Sequence, residues 1–170
     1  MTGELKYVTF NTDTGWAGIL ASAKGLLGTT LPQRSSQKAR QLLGDGVNQA
    51  TWSPHLFDDL TERLRVYFSG HEAAFADELD LSGATPFQRQ VWETTRLLLY
   101  GETRSYLWVA EQMKRPGAVR AVGQALGRNP LAVIVPCHRV VASDGRLGGF
   151  TWGLEMKRHL LGLEAPASIG

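Results

Sequence analysis

The chain has 170 residues, 43% of them hydrophobic and 20% charged, which suits one domain or two small lobes and argues against disorder. No apolar run approaches the length of a membrane span, and a single cysteine excludes an internal disulfide and the thiolate set of a cysteine-rich zinc site. The net charge of +2 hides a division: residues 1–85 carry 7 Lys/Arg against 10 Asp/Glu (−3), whereas residues 86–170 carry 11 against 6 (+5). A basic half that meets a phosphate backbone would divide charge this way, and so would a solvated basic surface. Met1-Thr2-Gly3-Glu4 leads into no apolar core, so no secretory signal is expected, and a reducing cytoplasm suits the lone thiol.

Residues 6–10 and 16–22 read as strands separated by the turn-forming Asn11-Thr12-Asp13-Thr14-Gly15, and residues 26–31 as a third, giving a small antiparallel meander that Pro32 ends. A short helix is expected over 36–43. Ser53 and Pro54 supply a cap and first turn for a core-facing helix carrying Leu56, Leu60, Leu64 and Tyr67, which Gly70 stops. Residues 74–81 contain a possible strand. Turn residues and the change of charge coincide at 80–83, which predicts lobes of 1–82 and 83–170.

Thr85-Pro86-Phe87-Gln88 is a capping box with proline at the first helical position, so a helix starts here, buries Phe87, Val91, Thr95 and Leu98, and ends at Gly101. A second helix over 105–113 buries Tyr106, Val109, Ala110 and Met113. After Lys114-Arg115-Pro116-Gly117 a third follows over 118–126, a weak helix-turn-helix signature. Ala118, Ala121, Gly123 and Ala125 make the third helix small-sided, with Arg120 as a long charged reach. Such a face suits close approach to phosphates or an opened base stack, and equally a tight packing contact.

The apolar run Leu131-Ala132-Val133-Ile134-Val135 reads as a buried strand leading through Pro136 to Cys137, His138 and Arg139. Cys137 is then either a small core hydrophobe or a reactive thiol. Reactivity at neutral pH calls for stabilising the anion, since an unperturbed thiol has a pKa of about 8.5. A helix starting after Pro136 and a nearby histidine are suited to this. Neighbouring residues on a helix do not face each other, so a water between Cys137 and His138 is the expected proton route, with Glu164 as the candidate to orient the imidazole. A cysteine peptidase or amidase would ask for the same residue types. Residues 141–150 form a glycine-rich loop without nucleotide-loop spacing, and a last helix over 154–161 turns Met156, Leu160 and Leu161 inward and Lys157 and Arg158 outward, with Glu164 just beyond.

Pro136-Cys137-His138-Arg139-Val140, with Gly101-Glu102-Thr103-Arg104-Ser105-Tyr106, Arg120-Ala121-Val122-Gly123 and Asn129-Pro130, resembles the methylated-DNA–protein-cysteine S-methyltransferase family, the O6-alkylguanine-DNA alkyltransferases. The likeness is specific from Thr85 to Glu164 and looser before. It implies an α/β (α+β) fold: an N-terminal ribonuclease-H-like lobe with a small antiparallel sheet, and a C-terminal helical lobe whose helix-turn-helix enters the minor groove of duplex DNA. Arg120 would fill the stack as the damaged nucleotide rotates out, with further DNA contacts from Thr103, Ser105, Ala118, Ala121, Gly123 and Arg128. Cys137 would take the alkyl group of O6-methylguanine once and irreversibly, with no cofactor and no metal; O4-methylthymine stays open as a second substrate.

The same resemblance gives roles to the remaining site. His138 accepts the thiol proton through water, Glu164 orients it, Tyr106 donates to the departing guanine, and Asn129 braces the turn. Val140, Ser143, Gly148, Gly149, Phe150, Thr151 and Trp152 join Tyr106 around the base. Phe150 and Trp152 stand where many members carry tyrosine and glycine, and Leu107-Trp108 where smaller or polar residues are common. The implied protein is a cytoplasmic monomer without an obligate protein partner. A DNA-binding regulator without chemistry and a cysteine hydrolase are the competing classes.

Overall fold

Alternating burial of Val8 and Phe10 marks Lys6–Thr12 (β1), which pairs antiparallel with Gly15–Ser22 (β2); Gly25–Thr29 (β3) pairs antiparallel with β2. The meander is therefore present, with the first turn tightened to Asp13-Thr14 between the Thr12 and Gly15 partners. A computed structural model describes residues 4–165; the first three residues, on which the reading of no secretory signal partly rests, lie outside the described residues. A fourth strand, Thr51–Trp52 (β4), runs parallel to β1 and completes the order β3-β2-β1-β4. Two residues are too short to show a period, so the sequence gives no sign of it.

Ser36–Leu42 (α1) is capped by Ser35, whose hydroxyl accepts from Lys38 N–H at 3.1 Å. The helix expected from Ser53 begins later. Ser53 N–H donates to Tyr7 O at 2.9 Å, holding the chain on the sheet edge, and its hydroxyl donates to Thr51 O at 3.1 Å and caps nothing. Pro54–Phe57 forms a 3-10 turn, and the α-helix is Asp58–Phe68 (α2), with Asp58 and Asp59 at its positive end. Leu60, Leu64 and Tyr67 are buried as expected, but Leu56 falls on the turn and is 63% exposed. Residues 74–81 form no strand. One bridge joins Leu79 to Leu26, and Arg63 of α2 holds the segment by a two-pronged pair with Asp77 at 2.8 Å on each prong.

The chain clusters into two units: the first runs to Gly83 and includes Pro130–Ile134, and the second comprises Ala84–Asn129 and the chain from Val135. In the second, Pro86–Thr95 (α3) carries the full capping box: Thr85 Oγ1 accepts from Gln88 N–H at 3.1 Å and Gln88 Oε1 from Thr85 N–H at 3.0 Å. It ends at Thr95 rather than at Gly101, which leaves Leu97 and Leu99 exposed. Tyr106–Gln112 (α4) and Val119–Gly127 (α5) make the helix-turn-helix pair, with a 3-10 turn at Pro116–Ala118 between them. The left-handed residue that closes α4 is Lys114 (φ 61°), with Arg115 N–H donating back to Ala110 O at 2.9 Å, and not the following Gly117. The Trp92 indole N–H donates to Ala125 O at 2.9 Å and fixes α3 against α5.

The run 131–135 is buried throughout, yet it is not a strand. Leu131 makes one bridge to Thr29, Thr29 Oγ1 donates to Ala132 O at 2.7 Å, and Val133 turns the chain at φ 72°. Burial and continuous apolar character are common to strands and to buried turns, and a run this short cannot separate them. Arg104–Ser105 (β5), which leads into Tyr106, and Val140–Val141 (β6), which follows Cys137–Arg139, pair in parallel. Leu154–Glu164 (α6) is longer than expected and contains Glu164 in its last turn. No helix among the described residues is long and apolar enough to cross a membrane.

Candidate functional site

Cys137 opens a single 3-10 turn, Cys137–Arg139, so no long helix aims its dipole at the sulfur as the sequence suggests. The turn is held from behind by Asn129, buried at the end of α5. Its amide donates to Val135 O at 3.0 Å and to Cys137 Sγ at 3.2 Å. That amide is a side-chain hydrogen-bond donor to the sulfur. Burial dominates the thiol and pushes its pKa up from the ordinary value; the Asn129 amide, the Lys157 charge and nearby backbone N–H groups oppose that rise.

His138 and Arg139 both turn inward and meet Glu164. The imidazole Nε2 lies 2.6 Å from Glu164 Oε2, and the guanidinium forks onto the same carboxylate through Nε at 2.7 Å and Nη2 at 3.1 Å. Arg139 Nη1 also donates to Leu98 O at 2.8 Å, and Gly101 N–H donates to Glu164 Oε1 at 3.1 Å. Gly101 stands at φ 80°, a conformation that favours glycine, which lets its N–H reach the carboxylate. So many donors mark Glu164 as an ionised acceptor, and they fix His138 as the tautomer protonated at Nε2.

Burial holds His138 below its ordinary value of 6.5, despite the opposing Glu164. A depressed folded pKa means that the unfolded chain takes the proton first as pH falls. The stability tied to this group is therefore complete above about pH 6.5 and lost below it. Thermal unfolding between about pH 7.5 and 5.5 should show Tm falling with pH; a Tm that rises over that window would contradict a buried neutral imidazole.

The sulfur lines a cleft together with Tyr106, Gly123, Leu126, Gly127, Gly149, Phe150 and Thr151. Tyr106 is half-buried at the start of α4, its hydroxyl 3.5 Å from Gly149 O. Gly148 has φ 73°, and a Cβ there would run into the Tyr106 hydroxyl, so the loop passes this ring only as glycine. Thr151 Oγ1 donates to Gly127 O at 2.6 Å and ties the loop to α5. Of the other residues expected around a base, Val140 is buried with its carbonyl taken by Lys157, Ser143 is exposed outside the lining, and Trp152 is half-buried beyond it.

Arg120 and Ala121 on α5 and Arg128 just after it are exposed, Gly123 and the preceding Ala118 are partly covered, and Val122, Ala125 and Leu126 are buried. Thr103 is exposed, and Ser105 caps α4 by accepting from Trp108 N–H at 2.9 Å. Arg139 and Lys157 are the buried charges that sequence reasoning passed over. Lys157, expected to face water, is fully buried and donates to Val140 O at 2.7 Å and Gly149 O at 3.1 Å. One signal for both lies in α6 and its surroundings: Lys157, Leu160 and Glu164 share a helical face, so an inward Leu160 carries both charges inward and calls for a cation beside Glu164.

Residues 86–166 match the family described as 6-O-methylguanine DNA methyltransferase, DNA binding domain. The chain is 49% identical over 122 residues to a methylated-DNA–protein-cysteine methyltransferase of Mycolicibacterium paratuberculosis, spanning 70% of this chain and 73% of that one. It is also similar to the solved structure of Mycobacterium tuberculosis OGT in complex with DNA, at 40% identity and TM-score 0.78 over 95% of this chain and 96% of that one. The O6-methylguanine-DNA methyltransferase of Pyrococcus kodakaraensis is 29% identical, with TM-score 0.70 over 95% of this chain and 99% of that one.

Proposed function

The chain belongs to the methylated-DNA–protein-cysteine methyltransferase family, and from that premise we propose that it repairs duplex DNA by moving the alkyl group of O6-methylguanine onto Cys137. The observation that carries the reading is the position of the chain's one thiol: it lines a cleft together with Gly123, Leu126 and Gly127 of α5, the helix that exposes Arg120. All the side chains assigned here belong to the second unit, Ala84–Asn129 and the chain from Val135, which supports that unit as the DNA-binding and acceptor part; the expected lobe of residues 83–170 differs from it at Gly83 and at Pro130–Ile134.

The sulfur attacks the methyl carbon in line with the carbon–oxygen bond. The S–C bond forms as the O6–C bond breaks, and the electron pair leaves with guanine. The thiol proton passes through water to His138 Nδ1, since Nε2 is committed to Glu164. The Tyr106 hydroxyl passes its proton to the departing base, which ends as neutral guanine, and the proton taken up by His138 returns through water to the phenolate. The methyl oxygen is enclosed in a duplex, so the nucleotide must first rotate out, and Arg120 supports the gap that it leaves. A thioether is a poor leaving group, so each monomer acts once.

Titrating methylated duplex with protein should remove one lesion per chain and then stop. Continued turnover would favour a hydrolase, and binding of undamaged DNA without lesion loss would favour a regulator. Unstacking a base costs a few kcal/mol, so Arg120→Ala should slow repair in duplex by roughly ten- to a hundredfold while barely changing reaction with a free O6-alkylguanine base. Equal losses on both substrates would remove Arg120 from base extrusion.

A further inference from the structure

One bond at the cleft has no part in the transfer just described. Thr151 is exposed, yet its hydroxyl donates at 2.6 Å to Gly127 O, a carbonyl 24 residues away at the end of α5. That oxygen is one of the four that a helix leaves without an internal partner. Ala125 O and Leu126 O are taken locally, by Arg128 N–H and Asn129 N–H at 3.2 Å each, whereas Gly127 O is met by a side chain of the loop. On the other side of Phe150, Gly149 O accepts from Lys157 Nζ at 3.1 Å. Phe150, which lines the cleft with Cys137, therefore sits between two tethered neighbours.

We infer that Thr151 is a positioning residue for the transfer: its hydroxyl clasps the loop to α5 and so holds Phe150 at the cleft when the extruded guanine enters. The inference rests on Cys137 being the alkyl acceptor. Both ends of the clasp are exposed, so water competes for them, and a hydrogen bond of this kind shifts a local equilibrium by about three- to tenfold. With the clasp open, the loop keeps its anchor at Gly149 and loses this one beyond Phe150. The sulfur keeps its own brace, the Asn129 amide. Loss of the clasp therefore acts on the wall that receives the base and not on the thiol, whereas a general loosening of the unit would slow every reaction of Cys137.

Thr151→Val removes the hydroxyl and keeps the shape, and Thr151→Ser keeps the hydroxyl. In the DNA-free protein the exchange of Gly153 N–H, which donates to Phe150 O at 3.0 Å, should speed up about three- to tenfold in Thr151→Val and stay at the wild-type rate in Thr151→Ser. The single-turnover rate of methyl transfer from duplex, at saturating protein, should fall by about the same three- to tenfold in Thr151→Val alone. Affinity for undamaged duplex should be unchanged, and iodoacetamide should alkylate Cys137 no more slowly than in the wild type. Unchanged exchange, unchanged transfer, or iodoacetamide alkylation that falls together with transfer overturns the inference. So does a Thr151→Ser protein as slow as Thr151→Val. Faster exchange in Thr151→Val, with a wild type that leaves methylated duplex untouched, would sink the alkyl-transfer reading and keep the clasp.

Discussion

Cys137→Ser is expected to abolish alkyl transfer, by more than roughly a thousandfold as removal of a nucleophile usually does, while leaving the fold and the binding of duplex DNA intact. Serine is close to cysteine in size, and its hydroxyl can accept from the Asn129 amide that now donates to the sulfur at 3.2 Å. The turn therefore keeps its brace to Val135 and the cleft keeps its shape. What disappears is a polarisable thiolate, which no other residue can replace because the chain has one cysteine. Repair by the Cys137→Ser protein at a rate near the wild type's, measured by loss of the lesion from duplex, would show that the acceptor lies elsewhere.

Glu164→Gln is expected to be the most destabilising conservative change in the second unit. The carboxylate accepts from His138, from two nitrogens of Arg139 and from Gly101 N–H, and it is 3% exposed. An amide of the same shape leaves the Arg139 charge buried without its counter-ion, which costs about 3–5 kcal/mol. That is a large share of the roughly 5–15 kcal/mol that holds a domain folded. Denaturant unfolding should reveal it as a lower midpoint. The pair acts as a unit, so Glu164→Gln combined with Arg139→Met should cost less than the sum of the two single changes, by about 0.5–3 kcal/mol. Strict additivity would mean that the ion pair is not the source of the loss. Repair should slow as well, because His138 loses the acceptor that fixes its tautomer.

The parts of this structure that the sequence makes legible are those where local chemistry decides. The Thr85-Pro86-Phe87-Gln88 box forms as read because both of its hydrogen bonds are internal to the first turn. The helix expected at Ser53 fails for the opposite reason: Tyr7, far away in the chain, takes Ser53 N–H and postpones the helix to Asp58. The buried run before Cys137 could not be told from a strand, since its turn depends on Val133 accepting a left-handed backbone that a β-branched residue rarely adopts. Lys157 was hidden by the ordinary rule that charge faces water. Its two carbonyl partners come from segments 17 and 8 residues away, and no helical pattern reports them. Pairing of Glu164 with His138 was legible as a chemical need, whereas the fork from Arg139 required the turn to swing two successive side chains to one buried carboxylate.

The most direct measurement is the intact mass of the protein after incubation with a duplex that carries one O6-methylguanine, followed by peptide mapping. The account predicts a gain of one CH2 group per chain, located on Cys137, in step with loss of the lesion and absent with Cys137→Ser. Loss of the lesion with no gain in protein mass, or a methyl group mapped to any other residue, would contradict it.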